Sequence, residues 1–303
     1  DSQMLRSNCF AVLALAAQAT RTMRIGTGVA VPGLRLAPVT ANGIATINRL
    51  APGRTFIGLG TGHTAMRTLG QKPMALKAFA EYVRVVRALL RGEAVDYTLH
   101  GETHSIAFQM REFRYIGLEP PIPLYLAGYG PRAQALAGAL ADGLITGFPR
   151  GGTLPEALEH VRRGALRAGR SLDGFFTAAM VNLVQLEPGE PLTSPRVRAE
   201  CGSAVMSAMH YFVARHDEVG AEPPPYAQGI WKDYLAFLAQ RPPALRHRLL
   251  HESHYSKLDP DEARFLTPEL IRAACLIGTP EELLERLREL ERQGLQHVML
   301  YPP

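Results

Sequence analysis

The chain has 303 residues, a length that suits one large α/β domain. Hydrophobic residues make up 47% and charged residues 20%, which excludes a disordered chain. The net charge of +5 is spread without blocks of like charge, which argues against nucleic acid as a partner.

The elements follow a regular rhythm of apolar run, small-residue turn and amphipathic helix. Residues 8–21 read as a helix and 23–31 ("MRIGTGVAV") as a buried strand. A helix over 37–50 ends at "APGR", and "TFIGLGTG" (55–62) is a second strand. Phe79, Tyr82, Val83, Val86, Leu89 and Leu90 fall at helical spacing within 75–91. Residues 93–118 alternate and read as an inserted hairpin. A third strand is expected over 123–130, a helix over 131–141 and a fourth strand over 143–148. After a helix at 154–169, residues 176–186 read as a fifth strand. A long helix over 193–217 precedes a second insertion, 218–266, which is helical at about 227–255. Thr279, Pro280 and Glu282 form the signature of a capped helix start, with Leu283, Leu284, Leu287 and Leu290 as its apolar stripe. "HVMLYPP" (297–303) closes the chain as a sixth strand.

Strands alternating with helices imply parallel pairing and right-handed crossovers. "DSQML" reads as a turn that follows a strand. The first strand and helix therefore read as missing from this numbering; a strand ending just before Asp1 and one before that would bring the six to eight, which fits a (β/α)8 TIM barrel with insertions better than a doubly wound sheet. The three cysteines, Cys9, Cys201 and Cys275, are far apart in sequence and read as reduced thiols of a cytoplasmic protein. No apolar run approaches ~20 residues, so no membrane partner is expected.

In such a barrel the working face lies at the C-terminal ends of the strands. The residues there are Asp1-Ser2-Gln3, Gly28-Val29-Ala30, Thr61-Gly62-His63, Ala127-Gly128-Tyr129-Gly130 and Thr146-Gly147-Phe148. They are small and lack a carboxylate pair. "GYGPRAQA" offers a helix start at which phosphate could bind. Neither a dinucleotide fingerprint nor a Walker loop is present. A flat ligand lying over several strand ends explains the small residues. Gly60 and Gly62 then read as places of close backbone approach. His63 is the candidate proton donor or hydrogen-bond donor, with a pocket-lining role as the alternative. Ser2 either bonds substrate or caps the helix expected from residue 4 onward. His247, His251 and His254 share a helical face, but no acid or cysteine completes a metal set, and no metal is expected.

"RIGTGVAVPGLRLAPVTANGIATINRLAPGRTFIGLGTG" resembles the luciferase-like monooxygenase superfamily, in particular its branch of methylenetetrahydromethanopterin reductases and related deazaflavin enzymes. The features that carry the resemblance are "IGTGV", the Pro32-x-x-Arg35-x-x-Pro38 spacing, "IATINRLAPGR" and "GLGTG". "PIPLYLAGYGPRAQALAGALADGLITG" and the closing "LIGTPEELLERLRELERQGLQHVML" extend it over nearly the whole chain. The resemblance implies a TIM barrel that binds coenzyme F-420 or FMN, with a slight preference for F-420. It implies a non-proline cis peptide at Gly28-Val29, where the bulge supports one face of the ring. Gly28, Val29, Ala30, Thr61, Gly62, Ala127, Gly128, Tyr129, Gly130 and Gly147 are the implied cofactor residues, with Gly128, Gly130 and Gly147 at the phosphate. His63 and Ser2 are the catalytic candidates.

The implied activity is hydride transfer between the reduced cofactor and a small, possibly apolar, substrate. FMN-dependent oxygen insertion is the alternative, and a non-catalytic ligand-binding member is the reading of a different class. Relatives of this kind are commonly dimers. The sequence also departs from them. Ser2 stands where several carry His, "MLRSN" has no Trp counterpart, and His63 stands where some sugar-phosphate dehydrogenases carry Glu. Their acid–base set therefore does not transfer.

Overall fold

A computed structural model describes residues 1–147, 152–251 and 254–301. The described residues gather into two compact units.

The first unit comprises residues 1–66, 71–145 and 157–176. Helix α1 (Cys9–Ala19) starts at Asn8, whose side chain accepts from the amides of Phe10 and Ala11. Strand β1 (Ile25–Ala30) leads through a short 3-10 turn (Pro32–Leu34) into helix α2 (Ala37–Leu50), which has Pro38 in its first turn. Strand β2 (Thr55–Leu59) is followed by the short helix α3 (His63–Arg67) and by α4 (Leu76–Leu90). The apolar stripe of α4 is buried at Phe79, Val83, Val86, Leu89 and Leu90, as its spacing predicts. Strands β3 (Val95–Leu99) and β4 (Glu102–Ile106) pair antiparallel, which is the expected hairpin. Strand β5 (Leu124–Ala127), helix α5 (Pro131–Leu140), strand β6 (Gly143–Gly147) and helix α6 (Leu154–Arg167) complete the repeat. The expected strand tip at Phe148 lies outside the described residues.

β1, β2, β5 and β6 are all parallel in that order, and Ile57, Leu59, Leu124, Leu126 and Leu144 fill the core beneath α2 and α4. Such strands, apolar on both faces, are what burial by flanking helices demands. Two glycines let α5 and α6 touch. A Cβ at Gly138 would lie 2.0 Å from the Val161 carbonyl oxygen, and one at Gly164 1.8 Å from the Ala135 oxygen. Asp142, at the start of β6, accepts from the Leu124 amide and pairs with Arg87 at 2.6 Å, so this turn aspartate holds elements together.

The second unit holds Arg67–Gly70, Thr146–Glu156 and Thr177–Pro303. The fifth expected strand divides into β7 (Phe176–Val181) and β8 (Leu183–Gln185). Asn182 breaks it. Its carbonyl accepts from the Leu276 amide, and β8 pairs parallel with the unforeseen three-residue β9 (Leu276–Gly278). Helix α7 (Pro195–Val219) is capped by Ser194 at its start and by the left-handed Gly220 at its end. Helix α8 (Pro225–Ala239), α9 (Arg246–Leu249) and α10 (Pro268–Ala274) follow. The long helical insertion is thus broken, because Pro242 and Pro243 lack amide donors. Helix α11 (Pro280–Arg292) carries the expected capping box between Thr279 and Glu282, although Leu284 of its stripe is exposed. Strand β10 (His297–Leu300) pairs parallel with β7.

Met206, Met209, Trp231, Tyr234, Phe265 and Ile271 form the second core. Cys201 and Cys275, distant in sequence, meet there. Their thiol–thiol hydrogen bond lowers the Cys201 pKa against the opposing effect of burial.

Candidate active site

The parallel ladder of β1 and β2 runs from Ile25 to Thr27 and resumes at Ala30, so Gly28 and Val29 form a bulge. The Gly28–Val29 peptide is cis, as the family resemblance implied. Gly28 is exposed and Val29 half-buried. The bulge is pinned before and after. The Thr27 hydroxyl donates to the Gly58 carbonyl at 2.7 Å and accepts from the Gly58 amide at 3.1 Å. The Gly60 amide donates to the Ala30 carbonyl at 3.1 Å.

Gly60 and Gly62 are small for a reason the sequence did not show. A Cβ at Gly60 would lie 2.6 Å from Val29 Cγ2 and 3.4 Å from Ala127 Cβ. One at Gly62, whose φ is +86°, would lie 2.3 Å from Val31 Cγ1. The two glycines make room for Val29 in the bulge and Val31 just beyond it. Close approach is correct, but the chain's own side chains do the approaching.

Gly130 differs. It precedes α5 in extended conformation, and a Cβ there would meet nothing within 4 Å. Gly128 is packed, with an added Cβ 3.0 Å from the Gln134 amide nitrogen. Ala127, Tyr129 and Gly130 are half-buried, and the Tyr129 carbonyl accepts from the Gln134 side chain. Gly147 is the buried last residue of β6.

His63 opens α3 and is half-buried. The neighbouring Thr61 carbonyl accepts from the Met74 amide at 3.1 Å, which ties the tip of β2 to the start of α4. Ser2 caps no helix at residue 4. Its carbonyl accepts from the amides of Leu5 and Arg6 in a turn, and α1 begins only at Cys9. Asp1, one of the strand-tip residues read from the sequence, and Arg35, noted there only for its spacing, form an ion pair. The signal was present in the Pro32-x-x-Arg35 spacing, but its partner lies 34 residues away.

The second unit holds a buried polar cluster that sequence reading also missed. His210 on α7 contacts Glu262 through Nε2 at 3.1 Å, and the Tyr234 hydroxyl donates to the same carboxylate oxygen at 2.7 Å. Burial alone would raise the Glu262 pKa, but the contacts with His210 and Tyr234 outweigh it and the net direction is down. The rings of His251 and His254 lie 6.0 and 5.9 Å from that of His210. No metal-binding group of three side chains occurs among the described residues, and α9 ends before His251, so the expected shared helical face does not exist.

Burial pushes the His251 pKa down to about 4, helped by the charges of His210, Arg67 and His247 and opposed by a bond to the His247 carbonyl. The folded pKa is depressed below the unfolded value. Between pH ~6.5 and ~4 the unfolded chain therefore takes up a proton that the folded one refuses, and stability falls by up to roughly 3 kcal/mol. His251→Gln should flatten that part of the curve, measured by urea denaturation at pH 7, 6 and 5. Identical slopes would show that the imidazole does not resist protonation.

The sequence matches the luciferase-like monooxygenase family over residues 1–297. The chain belongs to that family. It is 28% identical to the 5,10-methylenetetrahydromethanopterin reductase of Archaeoglobus fulgidus, across 98% of this chain and 82% of the relative. Among solved structures, the coenzyme F420-dependent tetrahydromethanopterin reductase of Methanopyrus kandleri aligns with TM-score 0.69 at 22% identity, covering 100% of this chain and 84% of that one. A type II Baeyer-Villiger monooxygenase of Pseudomonas putida in complex with FMN aligns with TM-score 0.58 at 15% identity, covering 97% and 77%. At these identities the two structures share the fold with this chain. No helix among the described residues is long and apolar enough to cross a membrane.

Proposed function

We propose that this chain is an oxidoreductase that transfers hydride between reduced coenzyme F-420, or alternatively FMN, and a small organic substrate. The observation that carries the reading is the Gly28–Val29 bulge at the tip of a parallel strand, with Gly28 exposed, in a family member matched over 98% of its length by a methylenetetrahydromethanopterin reductase. We read the fold as a (β/α)8 barrel, acting as a cytoplasmic homodimer.

The residues fit a flat cofactor. Gly28 and Val29 present backbone and one small side chain, with Ala30, Thr61, Gly62 and Ala127 beside them. Gly130 leaves open space where any other residue would place a Cβ, next to the N-terminal end of α5, which favours an anionic group. Gly128, Tyr129 and Gly147 complete the candidate set. When bound, the cofactor supplies the hydride chemistry, and the protein orients and shields the reactants. His63 holds a proton at the edge of the tip cluster, and Ser2 offers a hydroxyl to substrate. Oxygen insertion is the second reading, favoured by the FMN-bound structural neighbour.

Titration of the purified protein with F-420 and with FMN, followed by cofactor fluorescence, tests the reading. Binding of neither sinks it, and leaves a ligand-binding protein of another kind. Turnover that depends on oxygen with FMN would replace the first reading by the second. His63→Ala should lower turnover by about 10²-fold or more while cofactor affinity holds. Unchanged turnover would reduce His63 to a wall of the pocket.

A further inference from the structure

We infer that Arg35 is a positioning residue for the cofactor-binding bulge and works through Asp1. The inference rests on the cofactor reading above. The observations concern the segment that leaves β1. After Ala30 the chain makes one 3-10 turn, in which the amides of Leu34 and Arg35 donate to the carbonyls of Val31 and Pro32. That turn brings Arg35 back beneath the strand tip. There its guanidinium pairs with the Asp1 carboxylate, whose side chain is only 2% exposed, while that of Arg35 is 16% exposed. The same carboxylate oxygen accepts from the Val31 amide at 3.3 Å. The guanidinium also lies over the Phe10 ring, 5.2 Å from its centre.

The consequence is mechanical. Gly28 and Val29 fall outside the register of β1 with β2, and the Val29 carbonyl accepts instead from the Asp1 nitrogen at 3.1 Å, so Asp1 holds the bulge itself as well as its exit. Thr27 holds the entry by two bonds to Gly58. At the exit, the Val31 amide is held by a buried carboxylate whose side-chain ion-pair partner is Arg35. A buried carboxylate keeps its charge only when paired and hydrogen-bonded. Loss of Arg35 therefore turns Asp1 toward protonation or solvent and releases Val31. Val31 also fills the space beside Gly62, so the release reaches the tip of β2. The Arg35 guanidinium lies over Phe10, and a methionine of similar length can keep an apolar contact with that ring while removing the charge.

The test uses the unmodified chain, Asp1→Asn, Arg35→Met and Arg35→Lys. Arg35→Met keeps the packing stem and removes the charge. Two quantities are measured below the melting temperature of every variant. The first is the Kd for F-420 and for FMN by fluorescence titration. The second is the hydrogen-exchange rate of the Val31 amide in the cofactor-free protein. Arg35→Met and Asp1→Asn should weaken cofactor binding about tenfold or more and speed Val31 exchange about tenfold, with the Leu126 amide of β5 unchanged. Arg35→Lys should recover most of both. A role in stability alone would lower the melting temperature and leave Kd within twofold, which overturns the inference but not the cofactor reading. If the unmodified chain binds neither cofactor, the reading of function fails and takes the inference with it.

Discussion

Glu262→Ala is expected to destabilise the protein by about 3–5 kcal/mol, since it removes the shared partner of a buried histidine and a buried tyrosine. Glu262 is 1% exposed, His210 1% and Tyr234 0%. Burial and the adjacent carboxylate both hold the Tyr234 pKa well above its ordinary value, so the phenol stays protonated and donates. Without Glu262 the buried hydroxyl and His210 Nε2 lose the carboxylate they share. The cost of an orphaned buried polar group is larger than the net value of the bond it lost. Glu262→Gln keeps an acceptor oxygen without the charge and should fall between the two. Denaturant unfolding followed by circular dichroism measures the effect, with exposed Asp261→Ala as a control that should stay within about 0.5 kcal/mol. A loss below about 1 kcal/mol for Glu262→Ala would mean that α7 and α8 hold together through apolar packing alone. The pH window adds a check. The Glu262 pKa is lowered in the folded state, so its stabilisation is present at neutral pH and lost only as pH falls below the ordinary carboxylate range. The His251 effect comes earlier, in the mildly acid range.

Gly164→Ala should cost about 2–3 kcal/mol, although alanine is the better helix former. The sign turns on magnitudes. Replacing a helical glycine by alanine gains roughly 1 kcal/mol of propensity. Against this, the new methyl would sit 1.8 Å from the Ala135 carbonyl oxygen, and 2.6 Å from its carbon. That neighbour is backbone in the middle of α5, so no side chain can swing away and the two helices must part. Gly138→Ala meets the Val161 carbonyl at 2.0 Å and should behave alike. Gly229→Ala, on α8 with nothing within 4 Å of the added Cβ, is the matched control and should be neutral or stabilising. Thermal melting separates them, with a shift of roughly 2–4 °C per kcal/mol for a chain of this size. Equal melting temperatures for Gly164→Ala and Gly229→Ala would show that α5 and α6 yield freely.

The two predictions mark the boundary between what patterning carries and what it does not. Periodicity located α4 and α11, alternation located the β3–β4 hairpin, and short apolar runs located the parallel strands β1, β2, β5, β6, β7 and β10. Each of these signals is local, because burial of one helix stripe or one strand repeats at 3.6 or 2 residues. The cap at Thr279 was equally legible, being a bond between residues three apart. The ordered motifs from "IGTGV" to the closing "HVML" were enough to indicate the family, and the cofactor class followed from that resemblance.

Other features needed the chain to fold. The expected strand over 176–186 is cut at Asn182 because its carbonyl is taken by Leu276, a partner 94 positions away that no local pattern reports. Asp1 and Arg35, His210 and Glu262, and Cys201 and Cys275 are likewise pairs separated along the chain and joined only by packing. Gly60 and Gly62 illustrate the division best. Their smallness was plain in the sequence and already said that something approaches the backbone there. That the approaching groups are Val29 and Val31 was decided by the bulge in β1, because the register of one strand against its neighbour is a tertiary property.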